Sequence, residues 1–284
     1  MILVVGSSGL LGGMIARRLL QRGEPVRVLV RGATPPLDGA DVARGDLKDR
    51  ASLDAACRGV TTVITTANSA QRGGEDDVGS VDLRGNIALI DAAKAAGVRH
   101  FLFVSAAAVD EASPVPLFAA KARVERHLSE SGMFWTVLAP HVFMDVWFPM
   151  IIGSALAAGR PVSLVGGGQR HHSFIAAQDV AAFAVAAVEN PTVRNERLLL
   201  GGPEALSWSE IVGKAGVIVG RKIETVVIPP GAAIPTLPPP VDQLIGNMAA
   251  GLEQQDVVID SSDLARRLGV ALTPAEAVLR RMLN

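Results

Sequence analysis

At 284 residues, with 49% hydrophobic and 19% charged side chains, the chain is long and apolar enough to bury a large core, which excludes intrinsic disorder. Its 27 basic and 28 acidic residues leave a net charge of −1, so bulk charge gives no reason to expect a nucleic-acid partner. The single cysteine, Cys57, excludes an internal disulfide and reads as a small core residue of a protein kept in a reducing cytoplasm.

A buried strand is expected over 2–5, with no charged segment and apolar run before it, so no leader is expected. It runs into Gly6-Ser7-Ser8-Gly9-Leu10-Leu11-Gly12 and a helix that carries Leu11, Ile15 and Leu19 on one face. Glycine admits the positive φ of a tight strand-to-helix turn, and without a Cβ it lets backbone N–H groups and the helix N-terminus approach a pyrophosphate. Glycines at 6, 9 and 12 depart from the commoner G-x-G-x-x-G spacing but keep the strand, turn and helix start of a dinucleotide site. The alternative is a turn of structural use only.

Strands follow over 25–30 and 41–43, a helix over 51–58 and a strand over 61–66. A polar loop with Gly73-Gly74-Glu75-Asp76-Asp77 leads to a long helix over 81–96, a strand over 101–105, a helix over 117–131 and a strand over 136–138 that stops at Pro140. Such βαβ alternation with apolar strands predicts a Rossmann-like, doubly wound parallel sheet, its ligand crevice at the carboxyl ends of the strands. Pro140, His141, Asp145 and Pro149 interrupt the longest apolar stretch, so no membrane span is expected.

Beyond Pro140 the alternation loosens into a helical stretch to 158, a strand over 162–165, a triple-glycine loop and a strand-helix unit through Phe174 and Asp179. A strand over 198–200, a helix over 207–220 capped by Ser207 with Glu210, and a strand over 222–228 complete the pattern. Residues 229–240 hold six prolines and cannot be helical; helices are expected from 241, over 262–268 and over 275–283. We therefore expect a nucleotide-binding domain over 1–150 and a smaller substrate-side lobe over 151–284, interleaved with the sheet.

Arg31 follows the second strand, where an acidic residue would bind the ribose of NAD, and a cation there favours the 2′-phosphate of NADP(H). Ser7 and Ser8 are further donors; the alternative is a surface arginine. Asp46-Leu47 follows the third strand, at the expected height of the adenine, where Asp46 either accepts from the adenine amine or caps a helix. Thr65, Thr66, Ala67 and Asn68 end the fourth strand and would border the nicotinamide ribose. Neither His141 nor the His171-His172 pair has metal-ligand spacing, so no zinc site is expected, although these histidines could donate to a substrate oxygen near neutral pH.

The turn over 6–12, Val28-Leu29-Val30-Arg31, Gly45-Asp46-Leu47, Val104-Ser105-Ala106, Lys121 to Leu128 and Phe174-Ile175 with Asp179-Val180-Ala181 resemble atypical short-chain dehydrogenase/reductase proteins. The resemblance is strongest to the NmrA-like group with its isoflavone-reductase and quinone-reductase relatives. It implies an NAD(P)-binding fold and a backbone contact to the carboxamide from Pro140, His141 and Phe143. It also places Lys121 against the nicotinamide ribose as a possible acid or base. The departure is that the chain contains no tyrosine: Leu117 stands four residues before Lys121, where the usual family tyrosine would be. The alternative for Lys121 is an exposed residue paired with Glu125. Ser105 is a candidate hydroxyl in the crevice or a structural serine.

Hydride transfer to a quinone, enone or dye gives a delocalised anion that water can protonate, whereas a simple ketone needs a proton donor. The expected activity is thus NADPH-dependent reduction of a small, apolar, conjugated acceptor. A cofactor sensor acting through a protein partner without turnover is the alternative, and a sugar-nucleotide epimerase is weaker because it depends on the tyrosine.

Overall fold

The computed structural model describes residues 1–35, 37–69 and 74–284, so Gly73 of the polar loop lies outside the described residues. The first half runs β1 (Ile2–Val5), α1 (Leu10–Gln21), β2 (Val26–Val30), β3 (Asp41–Arg44), α2 (Arg50–Cys57) and β4 (Thr62–Thr65). A π-helical turn, Val78–Gly85, leads directly into α3 (Asn86–Ala95), followed by β5 (His100–Val104), α4 (Pro116–Ser129) and β6 (Phe134–Pro140). Then come α5 (Met144–Phe148), α6 (Ser154–Ala157), β7 (Val162–Val165), α7 (Ala177–Glu189) and β8 (Glu196–Leu200). The chain closes with α8 (Trp208–Ile218), β9 (Thr225–Ile228), α9 (Val241–Leu252), α10 (Ser262–Leu268) and α11 (Ala275–Leu283).

The main sheet has the order β3-β2-β1-β4-β5-β6-β8. Its first six strands pair in parallel, with Ile2 opposite both Val26 and Thr62 and Phe101 opposite Trp135. The fold is the expected Rossmann-like α/β sheet. β1, β4 and β5 are buried along their whole length, which is why their apolar residues are consecutive rather than alternating, with Thr62, Thr65 and His100 as the buried polar exceptions.

Two compact units divide the chain. Unit 1 holds Met1–Pro140, Gln178–Leu199 and Arg267–Val270; unit 2 holds His141–Ala177, Leu200–Arg266 and Ala271–Asn284. The change comes where β6 ends, ten residues before the expected 150, and the chain re-enters unit 1 through α7 and β8. Leu3, Val63, Leu89, Phe101 and Phe103 anchor the core of unit 1. In unit 2, Phe148, Phe174 and Trp208 pack edge to face, with Phe174 and Trp208 centroids 5.0 Å apart, and Trp147 lies against Trp208 at 6.3 Å.

Two expectations need correction and one is refined. The helix expected over 81–96 starts at Val78, because Asp77 and Ser80 form a reciprocal capping box ahead of it. The helical stretch expected to 158 runs unbroken from Met144 to Ala157, but Pro149 sets a π-helical turn, Pro149–Gly153, in its middle. Around Phe174 there is no strand: the extended segment makes single bridges, Phe143 with Ile175 and His172 with both Leu206 and Val257. No helix among the described residues is long and apolar enough to cross a membrane.

Candidate functional site

In the sheet of unit 1 the chain leaves β1 towards β2 and β3, then returns to β4 on the other side of β1. The carboxyl ends of β1 and β4 therefore flank a topological switch point, where open α/β sheets bind their ligands. The turn over 6–12 occupies that position. Gly6 takes φ +89°, and the Gly9 N–H donates to the Gly6 carbonyl at 3.0 Å. A Cβ on Gly12 would lie 2.3 Å from that carbonyl oxygen and 2.7 Å from Thr66 Oγ1, so the protein itself forbids a side chain there. Gly9 is different: its Cβ would meet only the Gly6 oxygen, at an ordinary 3.4 Å.

Gly9 is also the N-cap of α1 and supplies no side-chain hydrogen bond. The first-turn N–H groups of Leu10, Leu11 and Gly12 thus have neither an intrahelical nor a capping acceptor among the described residues. Leu10 is 48% exposed, Ser8 is exposed and Ser7 half-buried. A bare helix start with an unobstructed glycine fits a pyrophosphate.

Arg31, just past β2, does not stand free. Its Nη1 lies 2.5 Å from Asp76 Oδ2 and 3.6 Å from Asp46 Oδ2, and Lys48 Nζ holds the other Asp76 oxygen at 2.8 Å. Lys48 above all, with Arg31, holds the Asp76 carboxyl below the usual carboxylate range against some desolvation. Asp46 is not the helix cap: Asp49 caps α2 through the Ala51 N–H, while Asp46 accepts from the Lys48 N–H at 2.9 Å. Leu47 is 5% exposed and belongs to the core.

Past β4, Thr65 turns inward and donates to Asn86 Oδ1 at 3.0 Å, Ala67 is buried, and Asn68 donates to the Thr66 carbonyl at 3.4 Å. Thr66 packs beneath the glycine turn. Lys121 on α4 is 8% exposed, which removes the reading of an exposed helix residue. Its Nζ donates to the Val104 carbonyl at 2.9 Å and lies 5.1 Å from the centre of the Phe103 ring. Glu125 is instead bonded to Arg197 Nε at 2.8 Å. Burial pushes the Lys121 ammonium down, opposed by Asp82 and Glu125. Ser105, the residue after β5, has a buried hydroxyl with no partner among the described residues.

Asp82 and Asn86 escaped the sequence reading. Asp82 is 1% exposed: one carboxylate oxygen accepts from the Ser69 N–H and hydroxyl at 2.9 and 2.6 Å, and the other has no partner among the described residues. Asn86 spans the π turn and β4, donating to the Asp82 carbonyl at 3.1 Å while accepting from Thr65. The available signal was a lone carboxylate between Val81 and Leu83.

The Pro140 carbonyl accepts from the Ala107 N–H at 3.0 Å. Within unit 2, the His141 N–H donates to the Leu200 carbonyl at 2.9 Å, and Phe143 precedes α5 and bridges to Ile175. His141 Nε2 lies 3.2 Å from His172 Nδ1, and His172 Nε2 lies 2.9 Å from the Leu252 carbonyl. A carbonyl only accepts, so His172 carries its proton on Nε2 and His141 donates from Nε2 to the bare Nδ1. Burial, then His172, brings His141 down to about 4, so it is a neutral imidazole rather than the near-neutral acid expected. His171 is exposed and faces Glu210 at 3.3 Å. An open cleft of about 490 Å³ in unit 2, lined by Leu164, Val212, Ile223 and Lys222, contains none of these residues.

The model of the NmrA-like family matches residues 1–268. An NAD(P)H azoreductase of Xenophilus azovorans is 33% identical over 232 residues, 80% of this chain and 77% of the relative. The photosystem II assembly factor Ycf39 of Trieres chinensis is 30% identical over 232 residues, 80% of this chain and 72% of the relative. Among solved structures, the NADPH complex of the quinone oxidoreductase QOR2 of Escherichia coli shares the fold at a TM-score of 0.82 over all of both chains, with 21% identity. The chain belongs to the NmrA-like family.

Proposed function

We propose that this protein is an NADPH-dependent reductase that passes hydride to a small, conjugated, largely apolar acceptor such as a quinone or azo compound, with no tyrosine taking part. The observation that carries the reading is Lys121: an ammonium buried in unit 1 and tied to the carbonyl that ends β5. A charge held there has no structural counter-ion within bonding distance among the described residues, and burial lowers its hold on a proton. Azo and quinone reduction by the similar proteins support the same reading.

The bare N-terminus of α1 takes the pyrophosphate, and bound NADPH supplies the hydride. Arg31 meets the 2′-phosphate, with Asp46 towards the adenine. Lys121 orients the nicotinamide ribose and holds a proton for the acceptor oxygen or nitrogen, while the Ser105 hydroxyl is a second donor beside it. A delocalised product anion needs no stronger acid. A single cysteine, Cys57, buried and with its thiol pushed up to about 11 by burial, makes no disulfide within the chain, and we assign a reducing compartment such as the cytoplasm on that ground.

The test mixes protein, NADPH and a panel of quinones and azo dyes. Wild type should oxidise NADPH, and Lys121→Met should lose about 100-fold in kcat while retaining most NADPH affinity. If no acceptor is reduced faster by wild type than by Gly9→Asp, the reductase reading falls. The similarity to an assembly factor favours a second reading, a sensor that signals to a protein partner. It requires different affinities for NADP+ and NADPH without turnover.

A further inference from the structure

The cations that would recognise a 2′-phosphate are already neutralised. Arg31 follows β2 and Lys48 follows β3, and the carboxylate of Asp76, from the segment after β4, lies between them at 2.5 and 2.8 Å. The Asp76 side chain is 6% exposed, against 43% for Arg31. With Asp46 alongside at 3.6 Å, two cations face two carboxylates among the described residues, so these four charges balance. A dianionic phosphate entering this arrangement meets as much repulsion as attraction, whereas a neutral ribose hydroxyl is almost indifferent to it.

We infer that Asp76 is a specificity-determining residue of the nucleotide site, an internal anion on Arg31 that the 2′-phosphate of NADP(H) must displace. This rests on the cofactor reading above. Asp76 therefore weakens NADPH binding relative to NADH binding and narrows a preference that Arg31 alone would make large. Displacement leaves Arg31 and Lys48 facing Asp46, a net positive pocket in which the guanidinium fork can bind phosphate oxygens.

Calorimetry on the full chain with adenosine 2′,5′-bisphosphate and adenosine 5′-monophosphate tests this without turnover. Asp76→Asn should tighten the bisphosphate about tenfold and change the monophosphate by less than about twofold. Asp76→Ser should do the same, which covers a failure of the first variant to fold. In an Arg31→Ala background the Asp76→Asn effect should shrink to less than about twofold. Equal changes for both nucleotides, no change for either, or weaker monophosphate binding overturn the inference; the last would make Asp76 an acceptor for the ribose hydroxyl. Wild type that binds NADPH with an unmoved ratio in the variants sinks only this inference. Wild type that binds no NADPH sinks the cofactor reading and this inference with it.

Discussion

The glycine turn of unit 1 and the histidine pair of unit 2 are built on opposite plans. In the turn the shape is set mainly by backbone within seven residues, through Gly6 φ, the Gly9-to-Gly6 bond and the approach of Gly12 to the Gly6 carbonyl, with Thr66 beneath. The pair is made of side chains brought from residues 141 and 172, and its proton positions follow from one distant backbone carbonyl, that of Leu252. The first is a surface prepared by the chain for something outside it, since no contact among the described residues requires Gly9. The second is a closed internal chain whose donors are spent on each other.

Within the turn, Gly12 and Gly9 should separate folding from binding. Gly12→Ala drives a Cβ against backbone 2.3 Å away, where no side chain can give. We expect a loss of at least about 3 kcal/mol in urea unfolding. Gly9→Ala, whose Cβ meets an ordinary contact at φ −84°, should stay within about 1 kcal/mol of wild type yet weaken NADPH at least about tenfold. Wild-type NADPH affinity in Gly9→Ala would make the turn a purely structural device and erase the contrast between the two regions.

Unit 1 buries one neutral histidine, His100, and unit 2 the hydrogen-bonded pair of His141 and His172, which lets acid probe the closed plan in both. Burial brings His100 in unit 1 and His141 in unit 2 to about 4 from an ordinary 6.5. In His100 the Nε2 faces Thr136 Oγ1 at 3.0 Å, and Thr136 in turn donates to the Val193 carbonyl at 2.9 Å. His100 therefore donates from Nε2, and its buried Nδ1 has no partner among the described residues to take an added proton's bond. Between pH 6.5 and 4 the unfolded chain binds more protons than the folded one, so stability is full above 6.5 and lost as pH falls towards 4. The loss should approach about 3 kcal/mol for each histidine. Urea unfolding at several pH values should show it, and His100→Gln or His141→Gln should each remove about one proton from the slope. A slope untouched by either change would show that these imidazoles titrate normally.

How much the sequence disclosed follows the same division. β1, β7, α10 and α11 lie where apolar runs and punctuation put them, because their signals are local. Gly12 announces itself by spacing for the same reason. Arg31 was visible, yet Asp76 lies 45 residues further on and reaches it only because the fold sets the segment after β4 beside the end of β2. The depth of Lys121 depends on Phe103 and Val104 beneath it, and the loss of its expected partner Glu125 depends on Arg197, 72 residues away. Periodicity reports which face of a helix is apolar; it does not report which charge has been claimed by a distant strand.

The helix starts carry the comparison to its smallest effects. In unit 2, α8 is closed by a capping box in which Ser207 Oγ accepts from the Glu210 N–H at 3.2 Å and Glu210 accepts from the Ser207 N–H at 2.8 Å. Ser207→Ala should remove about 1 kcal/mol and speed amide exchange in the first turn of α8. In unit 1, α1 has no such closure, and Gly9→Ser would supply it. The free protein should then gain a few tenths of a kcal/mol, because serine caps slightly better than glycine, while NADPH binding falls as the new hydroxyl takes the N–H groups. Stability and affinity moving in opposite directions at one residue would mark the open N-terminus of α1 as kept for a ligand. A Gly9→Ser variant that gains stability and binds NADPH as wild type would show that the pyrophosphate lies elsewhere.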